Sequence, residues 1–177
     1  ASGAGRAGLE EFFAQERAVA AGDAEPPPVV FPRSLARNVV PQVGAFDALG
    51  WSGEELKIRD ETRKMLDLPE LPVSATAVRV PVRTAHSEAV FLETLRPTSV
   101  DELAAAFEAA PGVVFHPRGI VTPREVEGTD DVHVARLRSE SAVNFALWCV
   151  GDQLRKGAAT NAVRILELLL AKGYVTA

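Results

Sequence analysis

The chain has one cysteine, one methionine, one tyrosine and three histidines among 177 residues. A lone thiol, Cys149, excludes an internal disulfide and confines any thiol chemistry to one sulfur. That sulfur lies between Trp148 and Val150 in an apolar run, where a cysteine ordinarily serves as a small buried hydrophobe. The histidines, His86, His116 and His133, are far apart and share no metal-ligand spacing with cysteine or with one another, so no metal site is expected. Positive charge is in deficit as well. The 19 Lys and Arg stand against 24 Asp and Glu, which offers phosphate backbones no broad basic surface and leaves nucleic acid an unexpected partner. Hydrophobic runs are short: "NFALWCV" and "ILELLLA" fall well below the roughly 20 residues that cross a bilayer. The opening stretch has no signal-peptide pattern. Neither membrane nor export is expected, and the protein reads as cytoplasmic.

What the chain does have is apolar content, 47%, enough for one domain over residues 1–177 with a real core. The stretch "ASGAGRAGLEEFFAQERAVAAG" places Leu9, Phe12, Phe13 and Val19 on one side of a helix that Gly22 can end. "DAEPPPVVFPRS" cannot continue that helix, because proline lacks the amide donor and crowds the preceding turn, so it reads as an extended connector. "NVVPQVGAFDALGW" is loop-rich. Ser52, with Glu55 three positions on, is a capping-box signature for a helix over Gly53–Leu66 with Leu56, Met65 and Leu66 among its apolar positions. Pro69 and Pro72 stop it. Alternation predicts strands in "VSATAVRVPV" and "EAVFLETL". A helix begun by Ser99 or Asp101 follows in "SVDELAAAFEAAPG". "GVVF", "DVHVARLRS" and "NFALWCV" are extended, and "DQLRKGAATNAVRILELLLAKG" is the strongest helical pattern. This order lacks regular βαβ alternation. It predicts an α+β fold with a mixed, largely antiparallel sheet and helices packed on one face.

Gly3, Gly5 and Gly8 spell G-x-G-x-x-G, with Asp23 downstream where a ribose carboxylate would stand. No strand precedes them in the sequence and Asp23 abuts a proline run, so the dinucleotide reading fails on context. Small residues ahead of a helix still expose backbone N–H groups at its positive end. Ser2 and Gly3 therefore either dock an anionic or amide-bearing group or form a glycine turn that feeds the helix.

Four polar positions stand out. Glu54 and Lys57, three apart at a helix start, share a face, as a solvated ion pair or as a carboxylate and ammonium put to use. Arg79 interrupts a valine alternation, where its planar fork could hold a carboxylate by two charge-assisted bonds or serve structure alone. His86 ends the same run, as a proton carrier near neutral pH or as a satisfied polar residue. Strict alternation from Arg79 points His86 the opposite way, so a common site requires a turn or bulge near Thr84 and Ala85.

The motifs "SGAG", "NVVPQVGAF", "GEELKIRDETRKML", "LPVSATAVRVPV" with "AHSE", and "GDQLRKGAATNAV" occur in the order in which they occur in the aspartate-semialdehyde dehydrogenases, and the chain resembles that family over nearly its whole length. The resemblance implies the catalytic and dimerisation half, with a fold like the C-terminal domain of glyceraldehyde-3-phosphate dehydrogenase. It implies a first half outside this sequence that carries the nucleotide-binding fold, a phosphate-binding arginine and the cysteine nucleophile, and hence a fragment inactive by itself. Cys149 matches no catalytic position. Carried over by position, His86 becomes the acid–base histidine, Arg79 the clamp for the substrate α-carboxylate, Glu54 the partner of its amino group and Lys57 that of phosphate. Ser2 and Gly3 match residues that contact NADP, and Gln153 matches a position near the nicotinamide. The implied partners are aspartyl phosphate or aspartate semialdehyde, phosphate, and a second copy in a homodimer. A non-catalytic oligomerisation module of the same descent, and an acyl-phosphate reductase for another substrate, are the competing readings.

Overall fold

A computed structural model describes residues 1–175. The chain divides into two compact units, Ala1–Arg83 and Thr84–Ala177.

The first unit opens with a 3-10 turn, Ser2–Ala4, that runs into helix α1, Gly5–Ala21. Gly22 ends α1 in the left-handed region at φ 76°, and the N–H groups of Gly22 and Asp23 close back on Val19 and Ala18. That is the usual glycine-terminated helix end. Phe12 turns inward and packs with Phe31, Leu35 and Val40 into the core of this unit. Gly8 is small for a packing reason: a Cβ there would lie 2.4 Å from the Ala4 Cβ and 3.2 Å from Phe31 Cζ. The proline-rich connector forms neither helix nor strand and bends over residues 29–33, and Glu11 fastens it. Its carboxylate accepts from the amides of Val29 (2.9 Å), Val30 (2.6 Å) and Phe31 (3.2 Å).

Helix α2, Gly53–Leu66, begins at Ser52 with both halves of the capping box in place. Its Met65 and Leu66 face solvent, so the helix is held by its start more than by an apolar stripe. The buried Glu55 accepts from Ser52 N–H at 2.8 Å and, with its other oxygen, from Ala77 N–H at 2.9 Å.

The strand expected over "VSATAVRVPV" does not form. Arg79 makes only an isolated antiparallel bridge with Val40, and Val78 and Val80 are exposed. The bridge does not lengthen into a ladder: on one side the next hydrogen-bonding position falls on Pro81, which brings no amide donor, and on the other the amides of Gln42 and Ala77 go to the Val40 carbonyl and the Glu55 carboxylate. Beyond Pro41 and Pro81 the next amide turns back, Gln42 to the Val40 carbonyl and Val82 to the Val80 carbonyl, as in tight three-residue turns.

The second unit is built on a four-stranded sheet ordered β1-β4-β3-β2, with β1 His86–Glu93, β2 Val113–His116, β3 Val132–Ser139 and β4 Asn144–Gly151. β4 pairs antiparallel with β1 and β3, and β2 pairs parallel with β3, which makes the sheet mixed and mostly antiparallel. Helix α3, Val100–Ala109, starts at the Ser99 capping box and stacks Phe107 on Phe115 of β2. A single turn, α4, Pro123–Val126, was not foreseen in the sequence reading. Its Val126 packs with Val121, Ala135 and Val150, the other face from Phe115 by strand parity. The last helical stretch splits into a π turn, Arg155–Ala159, and helix α5, Thr160–Ala171. Asp130 pins that junction by accepting from Arg155 and from Thr160.

Candidate functional site

Of the residues singled out above, Ser2, Gly3, Glu54, Lys57 and Arg79 lie in the first unit, and His86 and Gln153 in the second.

Arg79 is fixed at both ends. Its backbone exchanges two bonds with Val40, at 2.8 and 2.9 Å. Its guanidinium carbon sits 5.4 Å from the centroid of the Phe31 ring, over that ring. The side chain is half-buried and lines a cleft of about 320 Å³ with Phe31, Pro32, Gln42 and Gly44. Among the described residues no carboxylate or other acceptor engages the guanidinium. It therefore keeps a full set of N–H donors for an anion.

The segment that carries Gln42 and Gly44 also holds the start of α2. Glu54 N–H donates to the Val43 carbonyl, Gly53 N–H donates to that of Ala45, and Gly44 lies against Gly53. Arg79 and Glu54 are thus anchored to one short stretch, residues 40–45. The Glu54 and Lys57 side chains hold each other at 3.1 Å and are both substantially exposed. An exposed pair of this kind contributes about 0–1 kcal/mol, so a stronger partner can part it at little cost. Ser2 is buried and donates its amide to the Arg83 carbonyl at 2.9 Å, while Gly3 is exposed. The fingerprint glycines are thereby explained without a nucleotide: Gly5 takes φ 72° where the 3-10 turn becomes α1, and Gly8 makes room for Phe31.

In the second unit His86 heads β1, directly opposite Gly151 of β4, and Gln153 follows two residues beyond. The two predicted residues thus lie toward the same end of the sheet. Between them Asp152 is buried, and its carboxylate accepts from Gly128 N–H and Leu154 N–H, each at 2.8 Å. That network fixes the turn carrying Gln153. The chain changes direction just before His86, where Ala85 takes φ 75°, a conformation rare outside glycine.

Cys149 is half-buried on β4, and burial, with Glu88 beside it, pushes its thiol up to about 11. Such a thiol is almost entirely protonated near neutral pH and a poor nucleophile. His116 and His133, far apart in sequence, come together across β2 and β3, Nε2 to Nδ1 at 3.0 Å with their rings stacked. Among the described residues no cluster of three or more His, Cys, Asp or Glu is disposed to hold a metal. The sequence reading missed Phe31, Gln42 and Glu11. Phe31 did carry a signal, as the one aromatic in the proline-rich connector.

The family model described as "Semialdehyde dehydrogenase, dimerisation domain" matches residues 1–156. An aspartate-semialdehyde dehydrogenase of Aquifex aeolicus (strain VF5) is 38% identical over 180 residues, covering 98% of this chain and 53% of that protein. The structure of aspartate semialdehyde dehydrogenase II from Vibrio cholerae, complexed with ASA, matches with a TM-score of 0.91 at 36% identity, over 96% of this chain and 52% of that one. The Candida albicans enzyme, solved with NADP, matches with a TM-score of 0.65 at 26% identity, over 80% and 47%. The chain spans about half the length of the relatives it matches. By family the chain belongs to the semialdehyde dehydrogenase dimerisation domains, and its fold is that of the matching half of solved aspartate semialdehyde dehydrogenases.

Proposed function

We propose that the chain is the catalytic and dimerisation part of an NADP-dependent aspartate-semialdehyde dehydrogenase. The enzyme reduces aspartyl phosphate to aspartate semialdehyde and works as a cytoplasmic homodimer in lysine, threonine, methionine and isoleucine biosynthesis. The observation that carries this reading is Arg79, a half-buried guanidinium fixed at both ends beside a cleft, with no acceptor of its own among the described residues. A substrate with carboxylate, ammonium and phosphate groups calls for a cation, an anion and another cation. Arg79, Glu54 and Lys57 supply that set, and Glu54 is tied to the stretch that bridges Arg79.

His86 carries the proton. An imidazole is the side chain suited to giving a proton up and taking one back near neutral pH, a contribution of about 10²–10⁴-fold. The thiolate that attacks the acyl carbon and expels phosphate belongs to the half of the enzyme outside this sequence, since Cys149 is protonated and held in a strand. NADPH, when bound, supplies the hydride that this carbon takes up. The residues here suit an accessory role toward the cofactor: exposed Gly3 allows close backbone approach, Ser2 stands beside it, and Gln153 presents an amide near the nicotinamide. The ASA of the Vibrio cholerae structure and the NADP of the Candida albicans one support the choice of substrate and cofactor.

The test uses the full-length polypeptide with aspartate semialdehyde, phosphate and NADP, read by NADPH absorbance. Breaking a buried charge pair costs about 2–5 kcal/mol, so Arg79→Leu should lower kcat/KM for the aldehyde by roughly 30-fold or more and leave the KM for NADP in place. Wild-type kcat/KM in that variant would remove the clamp.

A further inference from the structure

We infer that Phe31 is a positioning residue, whose ring holds the Arg79 guanidinium at the wall of its cleft and so sets the geometry of carboxylate capture. The inference rests on the proposed role of Arg79 and adds to it the residue that aims the clamp. A guanidinium over an aromatic face is held by the ring quadrupole and needs none of its N–H donors for that contact, so all five stay available to a carboxylate. An arginine without such a platform would lose more rotamer freedom on gripping its ligand. Restricting it beforehand lowers that cost at the moment of binding.

The ring is itself immobilised. Phe31 is buried to 3% exposure among Phe12, Leu35 and Val40. Its Cζ lies where Gly8 leaves room, 3.2 Å from the position a Cβ would take. Its backbone is one of three successive amides bound by Glu11. Gln15 bonds both to Glu11, at 3.4 Å, and to the amide of Leu35, at 2.8 Å, so α1 grips both sides of the ring's segment. Val40 closes the frame, since it packs in the same core and bridges the Arg79 backbone. Backbone and guanidinium of Arg79 are thus referred to one cluster. No other described aromatic ring faces this guanidinium.

The experiment is steady-state kinetics of the full-length polypeptide with aspartate semialdehyde, phosphate and NADP. Phe31→Leu keeps an apolar side chain and removes the π face. It should raise the aldehyde KM about three- to tenfold with kcat within about twofold, since uniform binding is what is lost, and leave the KM for NADP unchanged. Progressive ring fluorination at position 31 weakens the quadrupole at nearly constant shape, and log KM should climb with each step, which a purely structural role would not produce. Should Phe31→Leu fail to fold, Glu11→Gln loosens the segment without emptying the core and should raise the same KM. An aldehyde KM unmoved by fluorination and by either variant, while Arg79→Leu raises it, overturns the positioning role and leaves the clamp standing. An aldehyde KM unmoved by Arg79→Leu itself overturns both.

Discussion

His116 and His133 stand 17 positions apart in sequence and 3.0 Å apart in space. Thr129 donates its hydroxyl proton to the Val126 carbonyl at 2.8 Å, so toward His133 Nε2, at 3.4 Å, it accepts. That assigns the proton of His133 to Nε2 and makes its Nδ1 the acceptor for His116 Nε2–H. Protonating His133 deletes the acceptor and turns a second N–H donor toward the His116 Nε2–H. Burial first, and the neighbouring His116 second, lower its pKa below the ordinary 6.5, against the pull of Asp131. Glu125 of α4 faces His116 from the other side. The sign follows from the depressed folded value: the neutral pair's contribution is complete above pH 6.5 and is lost as pH falls through the folded pKa. The loss should be about 1 kcal/mol, the net worth of a hydrogen bond, in the urea midpoint between pH 7.5 and 5. His133→Gln should flatten that slope, and an unchanged slope would remove the pair from the account. Residue identity made each histidine legible but not their meeting. Phe31 and Arg79 were hidden from each other for the same reason: periodicity reports neighbours along a chain and says nothing of a ring 48 positions away.

At the scale of elements, local chemistry was the legible part. Helix α2 runs Gly53–Leu66 as the sequence predicts because serine and glutamate at the right spacing satisfy their own orphan amides, and α3 starts at Ser99 for the same reason. The segment over residues 73–82 alternates as a strand does but has no ladder partner: Pro81 lacks the donor on one side of the bridge, and Ala77 gives its amide to Glu55 on the other. α5 was read as one long helix, yet its first turns widen into a π turn where Asp130 draws in Arg155 and Thr160. The same view singles out Glu55. Donation from Ser52 first, and from Ala77 second, holds its carboxyl below the ordinary value of 4.5, and the second bond ties residues 73–82 to a helix in the absence of a ladder. Glu55→Ala removes the cap and leaves the Ala77 amide without its acceptor. A loss at the scale of a helix cap should lower the thermal midpoint by about 2–4 °C. Amide exchange should quicken at Ala77 as well as in the first turn of α2. Faster exchange confined to α2 would mean that Glu55 is a cap and nothing more.

At the scale of the molecule, composition and element order gave the class, α+β with a mixed sheet, while strand order was out of reach. Which strand lies beside which depends on pairings such as Val113 with Val132 and His86 with Gly151, and no pattern within either strand specifies its neighbour. The sheet also exposes an edge strand that a test of self-association can probe. In the edge strand β1, Val90 and Leu92 are half-buried, whereas Ser87, Ala89, Phe91 and Glu93 alternate on the exposed face. Phe91 is 67% exposed, opposite Ala146 of β4. A single exposed aromatic is ordinary on a protein surface, but the matched family model is that of a dimerisation domain, and Phe91 is the large apolar side chain that this face of β1 offers a second copy. Aromatic anchors at the centre of such contacts are worth about 2 kcal/mol or more. Phe91→Asp should accordingly weaken self-association by roughly 30-fold or more, read by sedimentation across a dilution series, with the circular dichroism of the sheet preserved. The competing surface is α5, where Ile165, Leu166 and Leu168 are also exposed. Weakening by Ile165→Asp with Phe91→Asp silent would move the interface from the sheet to that helix.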